Sequence, residues 1–440
     1  MDTTPAPGDP AAESDVADHA VPALMPGTEL IGEYQGSGHR EPPYLVRRPD
    51  GQVLQVSRLL YLLAAQLDGH RSFSQVATDL GDTVGREITA EQVSFLIDNR
   101  LHKAGMVAAG ADRPEQPLPK GRDRLLALRF RVALLPERVV SAIAGVFMPL
   151  FWPPVVVLVV AGFAAADIWL ATNGAAGRLV AGAQSLIERP EQILLVLGLL
   201  TGAGLFHEFG HVAACRYGGA RPGTMGVGIY LVWPAMYSTV TDSYRLSRGG
   251  RLRTDLGGIY FNALAILIMI ACYARTDSAW LLAALVAWQA TTVWQFLPSI
   301  RLDGYYILSD LVGVPDLFDR MGPTLRSMVP GREPHPRVRE LKPWTRRVIA
   351  VWVVLVIPCL AYWIIGFLAL APYVLPGLWQ ALLDQARGVG EFARAGGIAG
   401  TAVGLVRIFM LLLPWAGMTL VLVNLTRSFL RFLRNRRAAR

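Results

Sequence analysis

Residues 207–211, His207-Glu208-Phe209-Gly210-His211, spell H-E-x-x-H. On a helix, residues four apart lie one above the other, so both imidazoles can ligate one Zn²⁺. Glu208, beside them, is placed to take a proton from a water held there. The setting is unusual. From Gln192 to Val212 the chain is otherwise almost wholly apolar, and ionisable groups inside such a run are costly and mark function by default. The spacing points to a zinc site inside a membrane helix.

A catalytic zinc site needs three protein ligands and a fourth position for water. The helix offers two. Asp303 is the leading candidate for the third: it follows an apolar segment, and Pro298 and Gly304 flank it. That pattern fits a broken helix that turns a carboxylate inward. Asp242, Asp255 and Asp310 rank below it and read as membrane-surface residues. Cys215, one turn past His211, reads as a packing residue.

These side chains need elements to hold them, and composition says which kind. The 440 residues are 52% hydrophobic and 17% charged, whereas a soluble domain carries about 25% charged residues. The deficit lies after Val139. Three cysteines, all in apolar runs, imply no disulfide framework. The first 26 residues lack the basic start and apolar core of a signal peptide, and residues 1–27 read as disordered.

Residues 28–108 read as a small α+β winged-helix-like domain. Tyr44–Val46 and Val53–Val56 flank the turn Pro49-Asp50-Gly51 as strands. Ser57 caps a first helix. Ser72-x-x-Gln75 and Thr89-x-x-Gln92 are capping boxes for two more. Met106-Val107 is expected to close the sheet. The domain carries 8 basic against 10 acidic residues, a balance that argues against nucleic acid as a partner. Leu62-Leu63, Leu67-Asp68-Gly69, Val76-Ala77 and Leu96 to Val107 give it a resemblance to the PqqD-like fold. That resemblance implies capture of a leader peptide.

Residues 109–138 form a basic connector. Residues 139–426 are expected to form a polytopic helical membrane domain, mainly α, with its core at 192–312. Its six spans are Val139–Leu170, Gln192–Tyr217, Asp255–Tyr273, Ala279–Pro298, Val348–Ala371 and Thr401–Leu425, each near the 20 residues a crossing requires. The basic tail 427–440 holds six arginines and no acid. With the cationic loops, it places both termini in the cytoplasm of a multi-pass cell-membrane protein. His207 and His211 then fall in the cytoplasmic half of the second span, at the depth of Asp303. The apolar, β-prone run from Gly226 to Trp233 is too short to cross. It reads as a membrane-dipping strand that pairs with an extended substrate, with Gly228 and Tyr230 as binding residues.

These residues resemble the site-2-protease-type intramembrane zinc metallopeptidases. That family pairs a membrane-embedded H-E-x-x-H with a distant L-D-G preceded by N-x-x-P. Leu302-Asp303-Gly304 matches the second motif and Pro298 the proline, while Gln295 stands where the family has Asn. Gly257 to Asn262 is similar to the family's small-residue stretch. Tyr305-Tyr306-x-Leu308-Ser309-Asp310 suits a bacterial branch of peptide zinc metalloproteases. The resemblance covers residues 192–312. It implies Zn²⁺ on His207, His211 and Asp303, with Glu208 as the catalytic base. Asn262 and Gln295 would bind substrate or the tetrahedral intermediate. The expected partners are a peptide or single-span membrane protein as substrate, membrane lipid, and peptide-export or peptide-maturation proteins. The alternative is a non-catalytic membrane scaffold or export accessory that keeps the metal site.

Overall fold

Three capping side chains start the helices of the N-terminal unit. Ser57 Oγ accepts from the Leu60 N–H, and Ser72 and Thr89 form reciprocal boxes with Gln75 and Gln92. They open α1 (Arg58–Ala65), α2 (Phe73–Val84) and α3 (Ala90–Leu96), the last running on as a π-turn to His102. The computed structural model describes residues 20–107, 128–173, 175–188, 191–230, 233–331, 333–395 and 397–438.

An antiparallel sheet precedes these helices, in the order β1 (Glu29–Glu33), β2 (Tyr44–Arg47), β3 (Val53–Val56). The strand β1 is an addition to the two expected from sequence. The helices bury Leu63, Val76, Leu80, Val93, Ile97 and Leu101 on Val46. Two expectations are corrected. Met106-Val107 does not join the sheet; Val107 makes an isolated bridge to Leu24. Ordered structure also starts before Thr28: Ala20 bridges Ser72, and Val21 is buried in the core. Residues 1–19 lie outside the described residues. This unit includes Glu340–Lys342, whose Leu341 bridges His39.

The second unit is mainly helical. Of the basic connector, residues 109–127 lie outside the described set, and the rest is β4 (Leu128–Leu135) and the start of α4 (Glu137–Phe147). The expected first span breaks in two. Pro149, Pro153 and Pro154 remove helix donors, so a short 3₁₀ turn separates α4 from α5 (Pro153–Thr172). Then follow α6 (Ala175–Glu188), α7 (Glu191–Tyr217), β5 (Met225–Tyr230), β6 (Trp233–Ser238) and α8 (Arg248–Thr276). The last elements are α9 (Ala279–Gln295), α10 (Asp303–Val312), α11 (Leu317–Ser327), α12 (Pro343–Arg394) and α13 (Ile398–Ala438).

Five helices among the described residues are long and apolar enough to cross a membrane, within α5, α7, α8, α12 and α13. Their outward faces carry bare apolar side chains such as Val157, Leu158, Ile168 and Ile365, which suits lipid and not water. The chain is thus a mainly α, polytopic helical protein. The expected span Ala279–Pro298 is the 17-residue α9, about 26 Å long at 1.5 Å per residue. The helix α12 runs for 52 residues through Pro358, Pro372 and Pro376, well beyond the expected end at Ala371.

The strands β4, β5 and β6 form one antiparallel sheet with β5 in the middle. This overturns part of the strand expectation. Both edges of β5 are already paired, so an incoming peptide cannot add to it; only β4 and β6 are outer strands. Residues 231–232 lie outside the described set.

Candidate metal centre

Small residues let the two principal helices of the site touch. A Cβ on Gly257 of α8 would stand 2.5 Å from the Gly210 carbonyl oxygen of α7 and 2.9 Å from the Ala214 methyl. Only glycine permits this backbone approach, a common device between helices in lipid. The close crossing sets the histidine face of α7 against α8.

His207 and His211 are buried on that face. Each ring has its Nδ1 tied down. His211 Nδ1 lies 2.8 Å from the Thr254 carbonyl oxygen, which can only accept, so Nδ1 carries the proton. His207 Nδ1 lies 3.1 Å from Asn262 Oδ1, and the Asn262 amide donates to Gln295 Oε1 at 2.7 Å. Both rings therefore turn an Nε2 lone pair toward the same point, as in metal-binding histidines held from behind.

Asp303 meets them there as the first residue of α10. Its carboxylate suits the positive end of that helix. Gly304 lets α10 start against Phe296, whose backbone a Cβ would overlap. His207 Nε2 lies 3.2 Å from Asp303 Oδ2, His211 Nε2 lies 3.6 Å from Oδ1, and the two Nε2 atoms are 3.2 Å apart. Ligands at about 2.0–2.1 Å from a tetrahedral ion stand roughly 3.3 Å from one another. The three groups are spaced for one such ion.

The electrostatics agree. Burial would push the Asp303 carboxyl up, but the charge and hydrogen bonds of the facing imidazoles hold it well below the usual carboxylate range. The cluster demands a positive charge. A proton on one Nε2 leaves the other lone pair facing a carboxylate, and protons on both set two N–H groups against each other. A metal ion satisfies all three. Gly258 leaves it room: a Cβ there would lie 2.5 Å from His207 Cε1 and 2.6 Å from His207 Nε2.

The other expected residues fall into clear places. Glu208 follows His207 on α7, half-buried, and is not one of the three ligand groups. Asn262 and Gln295 stand behind His207 in a relay. Gly228 is buried in β5. The Tyr230 hydroxyl accepts the Arg301 N–H at 3.1 Å, which ties the end of β5 to the loop before Asp303. Asp242 and Asp310, expected at a membrane surface, are buried. Asp242 accepts the Arg221 N–H and pairs with Arg245. Cys215 is buried, as a packing residue should be. Gly258 falls in the small-residue stretch Gly257 to Asn262 singled out from sequence, without its role beneath the rings; Thr254 carries no sequence signal of its own.

Phe147 of α4 packs on Phe206 and Phe261, with ring centroids 5.6 and 5.5 Å apart. Phe206 and Phe261 are 4.6 Å apart. These rings pack α4 against α7 and α8 beside the crossing that carries the histidines.

The chain is similar to the Bacillus subtilis protein named "Putative peptide zinc metalloprotease protein YydH", with 30% identity over 107 residues. The match covers 24% of this chain and 42% of that protein, so it spans under half of the relative's length. No protein-family model matches the chain, and no solved structure does.

Proposed function

We propose that the chain is a site-2-protease-like zinc metalloendopeptidase that hydrolyses a peptide bond at or within the membrane. The observation that carries this reading is the convergence of His207, His211 and Asp303 at tetrahedral spacing over Gly258. The name of the Bacillus subtilis relative points the same way.

When bound, Zn²⁺ supplies Lewis acidity toward the peptide carbonyl and makes a water acidic enough to attack near neutral pH. His207 and His211, each through Nε2, and the Asp303 carboxylate would hold the ion. Glu208 takes the proton of the attacking water and returns it to the leaving amine. Asn262, with Gln295 behind it, keeps His207 in the ligating tautomer.

The substrate is a membrane-associated or ribosomally made peptide, captured by the N-terminal domain if that domain acts as its PqqD-like resemblance implies. An extended substrate would pair with β4 or β6. The arginine-rich loops and tail favour a multi-pass cell-membrane protein with both termini in the cytoplasm, α9 serving as a short crossing.

The decisive experiment compares the purified full-length protein with Glu208→Gln. Wild type is expected to hold about one zinc per chain and to shorten candidate precursor peptides, followed by mass spectrometry. The variant should keep its zinc and lose roughly 10²–10⁴-fold in rate, the scale of a general base. Zinc in both with identical peptide profiles would favour a non-catalytic scaffold. Zinc in neither removes the reading.

A further inference from the structure

Arg251 is fully buried, in a helix long and apolar enough to cross a membrane. A buried guanidinium is costly unless it is paired and its remaining donors are met. Its Nε donates to Asp310 Oδ1 at 3.1 Å and its Nη1 to the Leu246 carbonyl oxygen at 2.9 Å. Neither Arg251 nor Asp310 belongs to the ligand set.

Their positions say what they are for. On α8, Arg251, Thr254, Gly258 and Asn262 follow one another at steps of three and four, so they share one face. Three of the four serve the metal site. Thr254 accepts from His211, Gly258 makes room beneath both rings, and Asn262 holds His207. Arg251 is the next step down the same stripe. The group it grips, Asp310, sits on α10 seven residues after Asp303, two turns along the same face. One stripe of α8 thus holds both histidines directly and holds the helix of the third ligand by an ion pair.

We propose that the Arg251–Asp310 pair is a positioning device that sets the register of α10 on α8, and so where the Asp303 carboxylate stands relative to the imidazoles. This rests on the proposed metal site. The short α10 begins after a loop; its first turn is held by the close approach of Gly304 to Phe296 and by Tyr305, which stacks on Phe318 and accepts the Leu317 N–H at 3.0 Å, and its last turn is gripped by Arg251. An apolar contact at its far end would let it slide or roll. A charge-assisted hydrogen bond from a buried guanidinium tolerates neither. A ligand set works only when held to about 0.5 Å, which gives the pair its purpose.

The test uses the full-length protein in detergent. Stripped of metal, it is titrated with Zn²⁺ against a competing chelator, and the visible spectrum of its Co²⁺ form is recorded. Asp310→Asn keeps the shape and removes the charge. Folded, as judged by tryptophan fluorescence and a single elution peak, it should bind Zn²⁺ about 10–100-fold more weakly, the scale for outer partners of metal ligands. Its tetrahedral Co²⁺ band should shift. Arg251→Lys, which keeps the charge but not the fork, should fall between. Asp167→Ala removes the acceptor of a polar contact between α5 and α9, where Gln289 donates to Asp167 at 2.7 Å. It should lower thermal stability and leave metal affinity unchanged, which separates positioning from general loosening. A folded Asp310→Asn with wild-type affinity and spectrum overturns the proposal. If Asp310→Asn does not fold, the same result in Arg251→Lys overturns it. Wild type that binds neither ion sinks this inference and the protease reading together. Weakened binding in the variants beside a wild type that cleaves nothing sinks the protease reading alone.

Discussion

At Gly258 a single hydrogen in place of a methyl group separates a metal site from a filled one. The Cβ of Gly258→Ala would lie within 2.6 Å of two His207 ring atoms, so the rings must turn away from Asp303. The expected outcome is a folded protein that has lost measurable zinc, with an overpacking cost of about 1–3 kcal/mol. Zinc content beside the unfolding temperature of the metal-free protein checks it. Asn262→Ala tests the relay behind His207 and should weaken zinc binding about 10–100-fold by the same titration. The candidate ligands were legible because their chemistry is local: two histidines four apart and an aspartate between proline and glycine. Their supports were not. Every residue has a carbonyl, so nothing in the sequence marks Thr254. The sequence shows the Asn262 amide but not which atom it meets.

The crossing of α7 and α8 exists because Gly210 and Gly257 bring two backbones together, and backbone cannot rotate out of the way as a side chain can. Gly257→Val should therefore cost more than ordinary overpacking, above about 3 kcal/mol. The yield of monodisperse protein and its unfolding temperature measure this; a variant that melts with the wild type would show that the crossing tolerates separation. Elements were readable wherever a local signal sets them. Three caps placed three helices, and apolar runs located five of the long helices, though not the break at Pro149–Pro154 or the true ends of α12. They were unreadable where the partner is distant. The strand β4 pairs with a segment some hundred residues later, so Leu128–Leu135 looks like part of a basic connector until its sheet is seen. The carboxylate Asp310 looked like a surface group for the same reason: the arginine that makes its burial tolerable, Arg251, lies 59 residues away.

The molecule has two units with separate cores, and each carries its own charge-dependent lock. In the N-terminal unit, the buried Arg48 donates to Asp50 Oδ1 at 3.2 Å and to the Ala104 carbonyl oxygen at 3.0 Å. The hydrogen bond from Arg48 holds the Asp50 carboxyl below its ordinary value of 3.8. A depressed carboxylate stabilises the fold fully above its unfolded pKa and loses that contribution as pH falls through the folded value. Acidification from pH 6 to 3 should thus lower the protection factors of amides in β2 and β3, measured against the intrinsic exchange rate at each pH, and Asp50→Asn should remove that part of the pH dependence. In the membrane unit the proposed ion links α7 to α10, so its removal acts by mass action. A ligand held at 100 times its dissociation constant contributes about 2.7 kcal/mol, and a chelator should take that away. Hydrogen exchange on the intact chain separates the two locks. Chelation at pH 7 should speed exchange in α10 and the histidine turn of α7 while the core around Leu63, Val76 and Leu80 stays protected. Equal loosening of both units would mean that their stabilities are not independent. No change in α7 and α10 would mean that no ion joins them.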